Sequence, residues 1–321
     1  MTPTTQAFPP SGPIPASHAP QMAKVNRTAA WCYRSAPLYV RVVGGDFLIF
    51  KQPGVLLAEM VASEDDLPVQ IFIRVEDRIK SINEVQERLS HRLAERLGTG
   101  QSEQIKLLMV SIVQESFLEP RAENLQTLSP MVKSLVAEYG QRHAAVRELA
   151  LLANRTYDTA VHAVNVSALT LAYCLKQGLP NQTATEYGLG ALLHDVGKLM
   201  IDPRVLNAPR KLTPKEYQDM RRHPEEGVKL LKGHGFSEVV ELAILEHHER
   251  LDGQGYPRGK RNISAVGRLI GIVDSYEALT SDERPYRRPL AYKPALELMH
   301  EETKGGKFDP AIFASFAYCL T

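Results

Sequence analysis

The chain has 321 residues, 44% apolar and 23% charged, and its 38 lysines and arginines nearly cancel 37 acidic residues, for a formal net charge of +1. That balance fits a folded globular protein of two domains and supplies no global field for holding a nucleic-acid duplex, so DNA binding is set aside. No stretch approaches the roughly 18 uninterrupted apolar residues that cross a bilayer, and the first segment lacks the charged start and apolar run of a secretory leader, so a cytoplasmic location is expected.

Residues 1–22 hold Pro3, Pro9, Pro10, Pro13, Pro15 and Pro20 among small polar residues, a composition predicting a disordered tail. Apolar runs at 38–43 and 47–50 flank Gly44, Gly45 and Asp46 and predict a hairpin, and a third extended run at 69–75 predicts a small sheet. From Ile82 the period turns helical, with Val85, Leu89, Leu93 and Leu97, then Ile105, Leu108, Ile112 and Val113, spaced to share helix faces. Helices are expected from there to the end. Thr213-Pro214-Lys215-Glu216 reads as a capping box opening a helix, and Asp309-Pro310 opens the last one. Cys32, Cys174 and Cys319 are far apart and show no C-x-x-C spacing, so buried reduced thiols are expected.

The chemistry concentrates between residues 158 and 274. His194 and Asp195 are adjacent at the end of an apolar helical run, with Lys198 one turn on. His223 follows, then the pair His247-His248, then Asp274 within the apolar stretch 269–276. A carboxylate in so apolar a segment needs a partner, because an unpaired buried charge is costly, and a metal ion is such a partner. His162 lies on a further helical segment with Asp158 one turn before it. Each histidine alone is explained by a core hydrogen bond or by solvent; the ensemble is hard to satisfy without an ion. Imidazole with carboxylate suits iron, manganese, nickel or zinc.

The half of the chain from about Tyr157 to Phe316 resembles the HD-GYP family of bacterial phosphodiesterases, a helical branch of the HD superfamily of metal-dependent phosphohydrolases. The resemblance rests on His194-Asp195-Val-Gly-Lys198 and on the run from His247-His248 through Asp252 to Gly255-Tyr256-Pro257. It implies hydrolysis of cyclic di-GMP to pGpG or GMP at two divalent metals, iron or manganese being favoured. His162, His194, Asp195, His223, His247, His248 and Asp274 correspond to the family's metal ligands, with Asp195 in the place of the bridging carboxylate. Lys198 matches the lysine that contacts a substrate phosphate, and Arg284 and Arg287 match a phosphate-receiving pair. Asp252, Gly255, Tyr256 and Pro257 form the loop expected over the substrate. Asp158 stands where three-metal members carry a glutamate; one methylene shorter, it favours a site of two metals over three.

The expected architecture is therefore mainly α: a tail to residue 22, a small α+β N-terminal module over 23–150, and an all-helical HD-type catalytic domain over 151–321. The N-terminal module shows no motif with a mechanism. Homodimerisation through it or its helices, and docking of a signalling protein, are the roles left open for it. Two alternatives to cyclic di-GMP hydrolysis remain: a phosphohydrolase of another cyclic dinucleotide or mononucleotide, and a cyclic di-GMP-binding regulator with little turnover.

Overall fold

Strand alternation and helical period account for the two parts of the chain. The computed structural model describes residue 14 and residues 21–140, 142–152, 159–281 and 289–320. It divides into two compact units, residues 1–91 and 92–321.

The first unit is built on a four-stranded antiparallel sheet of β1 (Met22–Val25), β2 (Leu38–Arg41), β3 (Phe47–Lys51) and β4 (Ile71–Arg74), in the order β1-β4-β2-β3. The β2–β3 hairpin is the predicted one, closed by Val42 N donating to Asp46 O at 2.9 Å. In β4 the period of two turns Ile71 and Ile73 inward, where they join Val25, Leu38 and Tyr39. Three helices complete the chain segment: α1 (Arg27–Ala30), α2 (Val75–Lys80) and α3 (Ile82–Arg96). On α3, Val85, Leu89 and Leu93 are buried as their spacing predicts. Glu84 in its first turn accepts from Arg34 N at 2.8 Å, which ties the loop before β2 to the helix.

The second unit is helical throughout. Its elements are α4 (Ser102–Leu118), α5 (Ala122–Gln126), α6 (Leu128–Tyr139), α7 (His143–Leu151), α8 (Thr159–Lys176), α9 (Asn181–Leu193), a 3-10 turn (Val196–Met200), α10 (Pro203–Leu206), α11 (Pro214–Met220), α12 (His223–Leu231), α13 (Glu238–Glu246), α14 (Ala265–Thr280), α15 (Tyr292–Lys304) and α16 (Pro310–Leu320). Helix α8 lies at the centre: it is apolar nearly all round and touches α4, α7, α9, α14 and α16. The Thr213–Glu216 capping box forms as predicted, and Asp309 Oδ1 accepts from Ala311 N at 2.9 Å to cap α16. All three cysteines are buried and free, and burial pushes the Cys174 thiol up to about 12. No helix among the described residues is long and apolar enough to cross a membrane.

Two expectations about boundaries differ from the structure. The tail assigned to residues 1–22 lies mostly outside the described residues, yet Met22 already belongs to β1, and Ile14 exchanges backbone hydrogen bonds with Phe47 at 2.9 and 3.0 Å. Four residues, Met-Ala-Lys-Val, are too short for their alternation to stand out beside a proline-rich stretch. The module assigned to 23–150 ends near His91 instead, because α4 and α7 pack on α8 and α6 packs on α9. Helix α4 buries Ile105, Leu108, Met109, Ile112, Val113 and Phe117, an apolar girth that needs neighbours on several sides.

In the first unit, Lys51 is fully buried and donates to Ala36 O at 2.7 Å, Gln52 O at 3.0 Å and Arg34 O at 3.3 Å. Burial lowers its pKa to about 8, with Glu84 opposing. An unfolded lysine titrates near ~10.4, so from about pH 8 to 10 the unfolded chain binds more protons at this position and stability rises with pH. Denaturant unfolding of the full chain across that range should show the wild type gaining stability relative to Lys51→Met; parallel pH profiles would refute the assignment.

Candidate metal centre

His162 lies in the first turn of α8, His194 ends α9, and Asp195 opens the 3-10 turn. His223 begins α12, His247 caps α13 with His248 directly after it, and Asp274 is on α14. These are the residues the sequence singles out as candidate ligands, and they converge. Two groups have ligand atoms that all lie within 4.8 Å of one another: His162, His194 and Asp195, and Asp195, His223, His247 and His248. Asp195 belongs to both.

Its two oxygens face opposite ways. Oδ2 lies 3.4 Å from His194 Nε2 and 3.6 Å from His162 Nε2, whereas Oδ1 lies 3.3 Å from His223 Nε2 and 3.8 Å from His247 Nε2. Asp274 extends the arrangement, with Oδ1 3.2 Å from His162 Nε2 and Oδ2 4.0 Å from His248 Nδ1.

The hydrogen-bond pattern settles which ring nitrogens carry protons. Nδ1 of His194, His223 and His247 meets the carbonyls of Ala191, Met220 and Ile244 at 2.7, 2.8 and 2.7 Å. A carbonyl only accepts, so each Nδ1 is the donor and each Nε2 turns a bare lone pair inward. His223 and His247 then hold Nε2 atoms 3.2 Å apart, and His162 and His194 hold theirs 3.1 Å apart. Asp195 Oδ1 is buried with no hydrogen-bond partner. Lone pairs facing one another around an orphan carboxylate oxygen make a concentration of negative potential that divalent cations relieve, so the donor set fits a metal centre.

The ionisation states agree with ligation. Burial acts to raise the Asp195 pKa, but the Lys198 ammonium bonded to Oδ2 prevails and holds it well below the carboxylate range. His247 and His248 are pushed far down by burial, reinforced by neighbouring imidazoles, and stay neutral.

The loop after the double histidine covers one side. Tyr256 stacks on His248 with ring centroids 4.5 Å apart and carries the Arg221 guanidinium 4.9 Å from its own centroid. Burial raises the Tyr256 pKa strongly, so it remains a phenol. Gly255 permits this approach: a Cβ there would lie 2.5 Å from both His248 O and Arg250 N. Asp252 Oδ1 accepts from Gln254 N at 2.8 Å and so shapes the turn, while Pro257 follows Tyr256 through a cis peptide.

Three carboxylates that sequence reasoning passed over hold the site in place. Glu277 accepts from His162 Nδ1 at 2.5 Å; Glu249 accepts from Arg258 N and Lys260 N at 2.7 and 2.8 Å; Glu246 accepts from Ser264 N at 2.7 Å and from the Lys260 ammonium. Lys260 thus ties the loop to Glu246 through its ammonium. The signals were present, since Glu246 and Glu249 bracket the histidine pair and Glu277 lies one turn past Asp274 in the same apolar helix. Asp158, Arg284 and Arg287 lie outside the described residues.

Residues 121–312 match the HD domain family. The chain belongs to that family. Its HD-GYP character lies in the His194-Asp195 pair and the Gly255-Tyr256-Pro257 loop. A cyclic di-GMP phosphodiesterase of Pseudomonas aeruginosa is 38% identical over 191 residues, covering 59% of this chain and 45% of that protein. A cyclic di-GMP phosphodiesterase of Thermotoga maritima is 32% identical over 210 residues, covering 63% of this chain and 56% of that protein. The chain thus spans about half the length of the curated relatives it matches. In structure it is similar to an HDG"Y"P protein from Bdellovibrio bacteriovorus, with a TM-score of 0.65 at 16% identity over 94% of this chain and 99% of that one, a likeness of fold.

One backbone contact in this HD domain makes a sharp test. A Cβ on Gly197 would lie 1.9 Å from His223 O and 2.5 Å from Gly227 N, so the 3-10 turn and α12 touch through bare backbone. Gly197→Ala should destabilise the protein by at least about 1–3 kcal/mol and separate His223 from Asp195. Denaturant unfolding and elemental analysis check it; stability within about 0.5 kcal/mol of wild type, with unchanged metal content, would refute the contact.

Proposed function

We propose that the chain is a metal-dependent phosphodiesterase that hydrolyses cyclic di-GMP to pGpG or GMP. The observation that carries the reading is the shared carboxylate: Asp195 presents one oxygen to each of two imidazole groups. His162, His194 and Asp274 would hold one divalent ion and His223, His247 and His248 the other, with Asp195 between them; iron or manganese is favoured. The names of the two curated relatives support the substrate.

Two such ions, when bound, supply a lowered water pKa and neutralisation of charge on the phosphoryl group. The protein's own groups provide the rest. Asp195 and Asp274 lie between the two imidazole groups, and Nδ1 hydrogen bonds keep the rings of His194, His223 and His247 from rotating. Lys198 lies against Asp195 Oδ2 and is half-buried, placed to add positive charge beside a phosphate that displaces it from the carboxylate. Tyr256 and the loop from Asp252 to Pro257 limit water access on that side of the site. Arg284 and Arg287 keep the phosphate-receiving role that the family resemblance implies. Hydrolysis forms a bond from water oxygen to phosphorus and breaks the bond to the ribose 3′ oxygen, which takes up a proton.

The test is a product assay on anaerobically purified protein loaded with iron(II) or manganese(II). Cyclic di-GMP should give pGpG or GMP, chelation should abolish turnover, and Asp195→Asn should lose both metal and activity. Lys198→Ala should keep its metal while kcat falls about 10²–10³-fold. Turnover that survives metal stripping would overturn the reading. Turnover of another cyclic dinucleotide with cyclic di-GMP spared would replace the substrate, and metal binding without turnover of any would favour a regulator.

A further inference from the structure

The histidines of the centre are not anchored alike. His194, His223 and His247 each give their Nδ1 proton to a main-chain carbonyl three residues back. His162 gives its own to a side-chain carboxylate 115 residues away, Glu277, which is buried on α14. The other oxygen of Glu277 accepts from Asn165 Nδ2 at 2.9 Å and from the Ser281 hydroxyl. Asn165 lies one turn after His162 on α8, and Glu277 one turn after Asp274 on α14. The two helices are thus cross-tied directly behind the ligand pair His162 and Asp274.

A carboxylate behind an imidazole does more than a carbonyl does. It carries a full negative charge, which strengthens electron donation at the far nitrogen, and it accepts only, which fixes the proton on Nδ1 and leaves Nε2 bare. Three donors on two oxygens also hold the Glu277 carboxylate in one orientation.

Given the metal centre proposed above, we propose that Glu277 is a positioning residue for one of its two ions. By holding His162 in the Nδ1-protonated tautomer it sustains the ion of His162, His194 and Asp274, while the ion of His223, His247 and His248 does not depend on it. The amide of Glu277→Gln replaces the carboxylate only in part, because it brings one acceptor, one donor group and no charge. Turned one way it sets its NH2 against Asn165 and Ser281; turned the other way it donates to His162 Nδ1 and drives the proton to Nε2, where it blocks ligation.

The experiment uses the full chain stripped with chelator and titrated with manganese(II), reading stoichiometry by elemental analysis, the two affinities by calorimetry, and apo stability by circular dichroism. Wild type should take two ions. Glu277→Gln should keep one at wild-type affinity and bind the second 10–100-fold more weakly, with Glu277→Asp recovering part of that loss. Asn165→Ala, which loosens Glu277 without removing it, should weaken the same single ion by a smaller factor and keeps the inference testable where Glu277→Gln folds poorly. Two ions held by Glu277→Gln at unchanged affinity, or both weakened equally alongside a fall in apo stability, would overturn the positioning role. A wild-type chain that takes up no ion overturns the metal centre itself, a failure distinct from that of Glu277 alone.

Discussion

The second unit is organised around one unsatisfied carboxylate. Asp195 is almost wholly buried, one of its oxygens has no hydrogen-bond donor, and the atoms facing that oxygen are imidazole nitrogens whose protons are committed elsewhere. Isolated charges of this kind cost several kcal/mol in a protein interior, and folds that contain them either neutralise the group or supply a counter-charge. Lys198 supplies a part on the Oδ2 side, and nothing in the described residues supplies it on the Oδ1 side. A site that is costly as a bare fold and favourable with cations is one in which binding and folding energy are coupled.

The surrounding packing makes sense under that constraint. Histidines and aspartates drawn from α8, α9, α12, α13 and α14 reach one point only if their helix ends approach closely, and the contact of Gly197 with the His223 carbonyl is where one of the closest of these approaches is permitted. The supports that follow are charged and buried too: Glu249 closes the loop back through Arg258 N and Lys260 N, and Glu246 caps the start of α14 through Ser264 N. Helix termini leave backbone donors unpaired, so acidic side chains at those ends satisfy donors while they locate the histidines.

How much was legible in the sequence follows from the range of each interaction. His194-Asp195 and His247-His248 are adjacent, the hairpin turn and the Thr213 cap are local, and the family resemblance was carried by short runs, so these could be read in one dimension. Glu277 could not be paired with His162 by inspection, because the partnership spans 115 residues and depends on how α8 lies against α14. The expected module end at residue 150 differs from the unit division near His91 for the same reason: amphipathic period shows that α4 and α6 are helices and which faces are apolar, but not which neighbours cover those faces. Strand β1 failed differently, by brevity, since four residues hold too little alternation to identify.

Buried charge alone does not mark function, and the two units of this chain show why. Lys51 in the first unit is as deeply buried as any ligand in the second, and its pKa is displaced, yet its ammonium meets three carbonyls within hydrogen-bond range. Its donors are answered by the fold itself, so the residue is explained as structure, a polar pin between the loop before β2 and the end of β3. Asp195 Oδ1 meets groups that cannot answer it: an acceptor faced by imidazole nitrogens whose protons are committed elsewhere. The distinguishing feature is what remains after every internal hydrogen bond has been made: the Lys51 ammonium has three acceptors, whereas Asp195 Oδ1 has no donor. A cation therefore has a reason to be drawn to the second unit at that point, and none to be drawn to the first at Lys51.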